Sequence, residues 1–341
     1  MEPLIVLDRV EAFLDAHGLG AGPLAARRIG DGGGSNFTFL LERGGDRFVL
    51  RRPPRPPLPP SAHDMVREAR LQLALRDAGF ERLPEIVAVC DDESVLGVPF
   101  YVMRFLDGTV ITESLPPGLE TPEERRRLGD DLVDTLVEIH AADVSTPSLA
   151  AFARPGSYAE RQVRRFAQLW AINRTRPIPD VEAVGERLAT SLPEPVTPTV
   201  VHGDYRLGNM MVERDAPSRI EAVLDWEMGA IGDPRADVGY LVAMYTEPRG
   251  RRSALGSSPV TAAEGFPTRA RLAERYAQES GRDLDRLEWF EALALWKAAV
   301  FCEAIYGRFV RGELGPEDTR AAIFEAGVPA LAAAARETLG A

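Results

Sequence analysis

Lysine is nearly missing from this chain: Lys297 is the only one, although Lys and Arg together number 40. Chemistry that ordinarily rests on a lysine amine must therefore rest on something else, and arginine is the available cation. Cysteine is scarce too. Cys90 and Cys302 lie far apart and neither belongs to a CxxC pair, which argues against a disulfide framework or a zinc site and for two buried core thiols. Net positive charge is absent. A formal charge of −12 and a pI near 5.0 disfavour a dedicated nucleic-acid binder, whose phosphate contacts need concentrated positive charge, while leaving room for a local basic pocket. No apolar run approaches the roughly 18 residues of a membrane span. The opening MEPLIVLDRVEAFLDAHGLG is acidic, with no basic stretch before a long apolar one, so no signal peptide is expected and the chain reads as cytoplasmic.

What is present is the composition of an ordinary globular protein, 45% hydrophobic and 27% charged. At 341 residues two lobes are expected, because single cores usually stop growing beyond roughly 250 to 300 residues. Leu7, Val10, Phe13 and Leu14 recur at helical spacing before Gly18 and predict an opening helix. SNFTFLLERGGDRFVLRRP then gives two β-rich runs joined at Gly44-Gly45, the pattern of a hairpin. The Pro-rich PPRPPLPP at 53–60 can only be a loop. Next comes a helix over SAHDMVREARLQLALRDAG, capped by Ser61 or Asp64, and two strands around an acidic turn in PEIVAVCDDESVLGVPFYVMRFLDG.

These elements make a small α+β lobe over 1–105 and a larger, mainly helical lobe over 106–341. Helices are expected near 121–142, 157–172, 235–246, 268–280, 284–311 and 317–338, interrupted by the short strands TVVH and IEAVLD. The stretch from Glu247 to Pro267 is expected to be the most mobile loop.

One segment concentrates chemistry. VHGDYRLGNMMV sets His202, Asp204, Arg206 and Asn209 within eight positions, and Asp225 ends an apolar run sixteen residues after Asn209. Hard divalent ions such as Mg²⁺ take oxygen ligands and commonly bridge one or two side chains to phosphates. The pattern suits a metal-nucleotide site with Asp204 left free to accept a proton.

HGDYRLGN, followed by LDWE and GDPRADVGYL, resembles the aminoglycoside phosphotransferase family, a kinase-like family, over roughly residues 25–310. VHGDYRLGN and VLRRPP are most similar to the subgroup of kinase-like domains fused to acyl-CoA dehydrogenases. The resemblance implies a two-lobed protein-kinase-like α+β fold and a phosphotransferase that moves the γ-phosphoryl of ATP or GTP to a hydroxyl of a small molecule. It implies that Asp204 orients and deprotonates the acceptor, that Asn209 and Asp225 bind Mg²⁺, and that His202 braces the loop. Asp233 and Asp237 are expected to tie down loop backbone. Arg206, two residues past Asp204, would stand near the transferred phosphate or be a surface residue.

On the nucleotide side, Gly32, Gly33, Gly34, Ser35 and Asn36 would cover the phosphates. A dinucleotide fingerprint fails there, since Ser35 replaces the last Gly and a strand follows. Arg51 stands where kinases carry the strand-three Lys, with Glu68 as its partner and Val49 roofing the adenine; Arg52 would replace Arg51 if the register slips by one. Met103, with main-chain groups of Arg104 and Leu106, would receive the base. A hydroxyacyl-CoA or hydroxy acid is the expected acceptor. An aminoglycoside, or a nucleotide-binding pseudokinase without turnover, are the alternatives.

Overall fold

A computed structural model describes residues 4–30, 36–55, 63–247, 258–314 and 320–340. The chain divides into two compact units, 1–108 with 221–229 and 109–220 with 230–341.

The first unit opens with helix α1 (Leu7–Ala16) and contains a five-stranded antiparallel sheet: β1 (Leu24–Ile29), β2 (Phe37–Arg43), β3 (Asp46–Arg52), β4 (Ile86–Cys90) and β5 (Phe100–Arg104), in spatial order β1-β2-β3-β5-β4. Gly44 and Gly45 both take positive φ, the two-residue turn whose twist matches the flanking strands. The sequence reading omits β1, where the Arg27-Arg28 pair hides the strand alternation. Successive residues of β3 face opposite ways. Phe48 and Leu50 join Val10, Leu14, Leu41, Phe100 and Val102 in one core, each burial contributing roughly 1.5 to 3 kcal/mol. Met65 and Ala69, on helix α2 (Met65–Asp77), pack with Tyr101 in a second cluster. Asp64 caps α2, accepting the Arg67 N–H at 2.9 Å. The acidic turn between β4 and β5 holds one helical turn, α3 (Glu93–Leu96), capped by Asp92.

The second unit begins with β6 (Thr109–Val110) and α4 (Pro122–Ala141), then α5 (Pro147–Ala150), α6 (Tyr158–Asn173) and α7 (Pro179–Thr190). A capping box starts α4: Glu124 N–H donates to Thr121 Oγ1 and Thr121 N–H to Glu124 Oε2, both at 3.2 Å. Short strands β7 (Thr199–Val201), β8 (Met210–Val212) and β10 (Ala230–Gly232) frame the catalytic-motif segments of this unit, while β9 (Ile220–Val223) leads into the 221–229 segment that belongs to the first. β7 pairs with β10, and β6 with β8. Helices α8 (Arg235–Met244), α9 (Arg269–Ser280), α10 (Leu287–Val310) and α11 (Ala321–Thr338) complete the unit. Since α10 packs against α6, α7, α8 and α11, it is apolar nearly all round. Gly239 permits the close approach of α8 to α10: a Cβ there would lie 2.7 Å from the Phe290 backbone carbon.

The loop expected over 247–267 is described in part. Residues 248–257 lie outside the described residues. The stretch 258–267 is pinned by Thr261, whose hydroxyl donates to Thr246 O at 2.8 Å and accepts from Thr246 N at 3.0 Å. Among the described residues no helix is long and apolar enough to cross a membrane. Both cysteines are buried and free.

Candidate active site

In the first unit, β3 and α2 bring two charges together. Arg51 Nε lies 3.2 Å from Glu68 Oε1, and Arg51 Nη2 pairs with Asp225 Oδ1 on the 221–229 segment. Glu68 is fully buried and also accepts the Tyr101 hydroxyl at 3.0 Å. Burial alone would lower the Arg51 pKa, but the charges of Glu68, Asp225, Tyr101 and Glu227 outweigh it and raise it. The strand pleat turns Arg52 the other way, onto the Leu4 and Pro53 carbonyls. The register therefore places Arg51, and not Arg52, on Glu68.

Asp225 holds a left-handed conformation (φ 66°, ψ 63°), which a short polar side chain tolerates better than most. Such backbone clusters at functional sites. Two residues on, Glu227 Oε2 accepts Asn36 Nδ2 at 3.0 Å, and His63 Nδ1 is 2.9 Å from Asn36 Oδ1. Burial, then the Arg51 charge, push the His63 pKa down against a smaller opposing pull from Asp225. Sequence reasoning missed His63 and Glu227; the E of LDWE was the available signal for the second.

Val49 is buried and stands opposite Met103 in the β3–β5 register. The Arg104 N–H, however, donates to the Glu85 carbonyl at 2.8 Å, so that donor is already engaged and only the backbone at Leu106 makes no hydrogen bond to a described residue. Gly32, Gly33, Gly34 and Ser35 lie outside the described residues.

In the second unit the catalytic-motif loop is clamped from below. Asp237 Oδ2 and Oδ1 accept the backbone N–H groups of His202 and Gly203 at 2.6 and 2.7 Å, and His140 Nε2 stands 3.3 Å away. Burial would raise the Asp237 pKa; the His140 hydrogen bond, the electrostatic pull of His140 and His202, and the Gly203 N–H together lower it. His202 is fully buried and its Nδ1 accepts the Asp204 N–H at 3.2 Å. It braces the loop. Asp233 accepts the backbone N–H of Arg235 at 3.0 Å and pairs with its guanidinium at 2.7 Å, and so fixes the start of α8.

Asp204 sits on this scaffold with unequal oxygens. Oδ2 accepts Asn209 Nδ2 at 2.7 Å, and the same amide also reaches the Asp204 carbonyl at 2.8 Å. Oδ1 is buried without a hydrogen-bond partner among the described residues. Arg206 folds back beside it, Nε 3.5 Å from Oδ1, over Gly208, where a Cβ would meet Nη1 at 2.2 Å. Burial, then the charge of Asp204 and a side-chain hydrogen bond with it, push the Tyr240 phenol well above its ordinary range. Nothing in the motif pointed to Tyr240.

The oxygen donors suit a hard divalent ion in kind. With Asn209 Nδ2 turned to Asp204, the amide oxygen is left for other partners, and Asp225 is 29% exposed. Among the described residues no group of three or more His, Cys, Asp or Glu could hold a metal by itself.

Comparison with known proteins places the chain. Residues 26–290 match the model of the phosphotransferase enzyme family. The human acyl-CoA dehydrogenase family member 11 is 32% identical over 317 residues, covering 91% of this chain and 40% of that protein. The mouse acyl-CoA dehydrogenase family member 10 is 32% identical over 285 residues, covering 83% and 26%. The chain thus spans well under half the length of these relatives. A Ralstonia eutropha structure described as a candidate aminoglycoside phosphotransferase superposes with a TM-score of 0.80 at 29% identity, covering 98% of each chain. A GDP and kanamycin complex of an aminoglycoside 2″-phosphotransferase shares the fold alone, with a TM-score of 0.60 at 15% identity and 97% and 98% coverage. By the extent of the family match and a fold shared from end to end, the chain belongs to the phosphotransferase enzyme family and has its kinase-like α+β fold.

Proposed function

We propose that the chain transfers the γ-phosphoryl group of ATP or GTP to a hydroxyl of a small molecule, with a hydroxy acid or hydroxyacyl-CoA as acceptor. The observation that carries this reading is the asymmetry of Asp204: one oxygen fixed by Asn209, the other buried and without a hydrogen-bond partner among the described residues. A carboxylate held this way can accept a hydrogen bond from an incoming hydroxyl and take its proton as the oxygen attacks phosphorus. The phosphorus–oxygen bond to the leaving nucleoside diphosphate breaks as the new one forms. Little covalent chemistry falls to the protein, so positioning and charge neutralisation dominate.

Arg51 would exchange part of its pairing with Asp225 for phosphate oxygens while Glu68 keeps it aimed. Asn209 and Asp225 would hold Mg²⁺, whose role is to neutralise phosphate charge. The pairing of Arg51 with Glu68 and Asp225 supports turnover over a module that only binds nucleotide. The relatives' names supply the acyl-CoA side of the acceptor reading.

The test is Mg²⁺-dependent release of nucleoside diphosphate across hydroxy acids, hydroxyacyl-CoAs, aminoglycosides, choline and sugars. A phosphorylated hydroxyl product in the first two classes supports the reading. Product only with aminoglycosides, or nucleotide binding without any product, contradicts it.

A further inference from the structure

The only lysine of the chain is in the wrong place for a surface residue. Lys297 lies in the middle of α10 and is 94% buried, with 6% of its surface exposed. Its Nζ stands 4.9 Å from the centre of the Phe166 ring on α6, and no carboxylate or carbonyl among the described residues accepts a hydrogen bond from it. A buried ammonium normally has such a partner. Glu303, the other buried charge on α10, has one set: it accepts from Thr175 N and Oγ1 at 3.0 and 2.6 Å and faces Arg176.

The charges that act on Lys297 come from three elements. Burial lowers its pKa to about 8, Asp237 on α8 and Asp204 in the catalytic-motif loop pull upward, and Arg165 on α6 pushes downward. Asp237 is already saturated by His202, Gly203 and His140. Arg165 is exposed and, like Lys297, makes no ion pair with a described carboxylate. Two cations that act on each other and make no ion pair with a described carboxylate stand out in a chain of net charge −12, and one of them, Lys297, feels the charge of Asp204. That arrangement is complementary to an anion and repels a polycation.

We propose that Lys297, assisted by Arg165, binds a carboxylate of the acceptor beside Asp204, so that the acceptor is a free hydroxy acid and not an aminoglycoside. This rests on the phosphotransferase reading only in calling the bound anion an acceptor. An ammonium over an aromatic ring keeps its charge without a fixed partner, and an entering carboxylate would complete its hydrogen bonds. The Asp204 and Asp237 charges keep the amine protonated near neutral pH, whereas above about pH 8 it loses the proton and carboxylate affinity should fall with it.

The single lysine makes the test direct, because lysine labelled with ¹³C at Cε gives one side-chain signal from the full chain. Hexanoate should shift that signal saturably and raise the amine pKa, while hexanamide and inorganic phosphate should not. Arg165→Gln, an exposed change that leaves the core untouched, should weaken hexanoate binding about threefold. Lys297→Met should weaken it at least tenfold, and Lys297→Arg should restore part of it.

In turnover, Lys297→Met should raise KM for a hydroxy acid tenfold or more while KM for its methyl ester stays unchanged. An equal response of the lysine signal to hexanoate and hexanamide, or to phosphate alone, would overturn the proposal. So would unchanged hexanoate affinity in both Arg165→Gln and Lys297→Met. Failure of every acceptor to be phosphorylated would instead count against the phosphotransferase reading, and the binding measurement would still decide the role of Lys297.

Discussion

The two units treat charge differently. In the first, Arg51 is closed between Glu68 and Asp225, and Asn36 ties Glu227 to His63. In the second, the backbone of the catalytic-motif loop is locked by Asp237, while Asp204 Oδ1 is buried without a hydrogen-bond partner among the described residues and Lys297 Nζ lies over the Phe166 ring. A polyanionic nucleotide can exchange one carboxylate partner of Arg51 for another anion at little net electrostatic cost, since the cation stays compensated throughout. An acceptor with one hydroxyl and one acid group must find its partners open. The closed arrangement suits the ligand that brings many charges, and the open one suits the ligand that brings few.

The contrast can be broken first at Asp225. Asp225→Asn should keep the left-handed backbone, which Asn also tolerates, and abolish the Mg²⁺-dependent part of nucleotide binding. Calorimetric titration of nucleotide with and without Mg²⁺ measures it. An unchanged metal dependence would place the ion elsewhere.

Arg51 is the next lever. Arg51→Ala removes the cation from the closed cluster, so kcat/KM should fall roughly 10²-fold; Arg51→Lys should recover part of it, since a point charge replaces a fork imperfectly. Equal activity of all three forms would make Arg51 an ordinary strand residue. The smallest effect is expected at Arg206, folded over Gly208 beside Asp204. Arg206→Ala should lower kcat by roughly tenfold with little change in nucleotide KM. A rise confined to acceptor KM would assign Arg206 to the acceptor instead.

Much of this was legible in sequence, and for definite reasons. The Gly44-Gly45 hairpin and a helix cap at Ser61 or Asp64 are local signals, whereas the choice of Asp64 as cap and of Arg51 over Arg52 as the partner of Glu68 needed the fold. Three-residue strands such as β8 and β10 are too short to show a period. The return of 221–229 to the first unit leaves no local trace, because it is decided by packing between distant segments. Asp233 and Asp237 look alike in GDPRADVGYL, and only the fold shows that one holds Arg235 and the other the loop backbone. Lys297 is an ordinary letter in an apolar helix until its surroundings are known.

The central claim is that Asp204 accepts the acceptor's proton, and Asp204→Asn tests it most directly. The amide has the shape of the carboxylate and can still accept from Asn209. Single-turnover phosphoryl transfer at saturating nucleotide and acceptor should slow by roughly 10²- to 10⁴-fold, with nucleotide affinity changed by less than about twofold. A chemical step as fast as in the unaltered protein, with the same acceptor, would contradict the account.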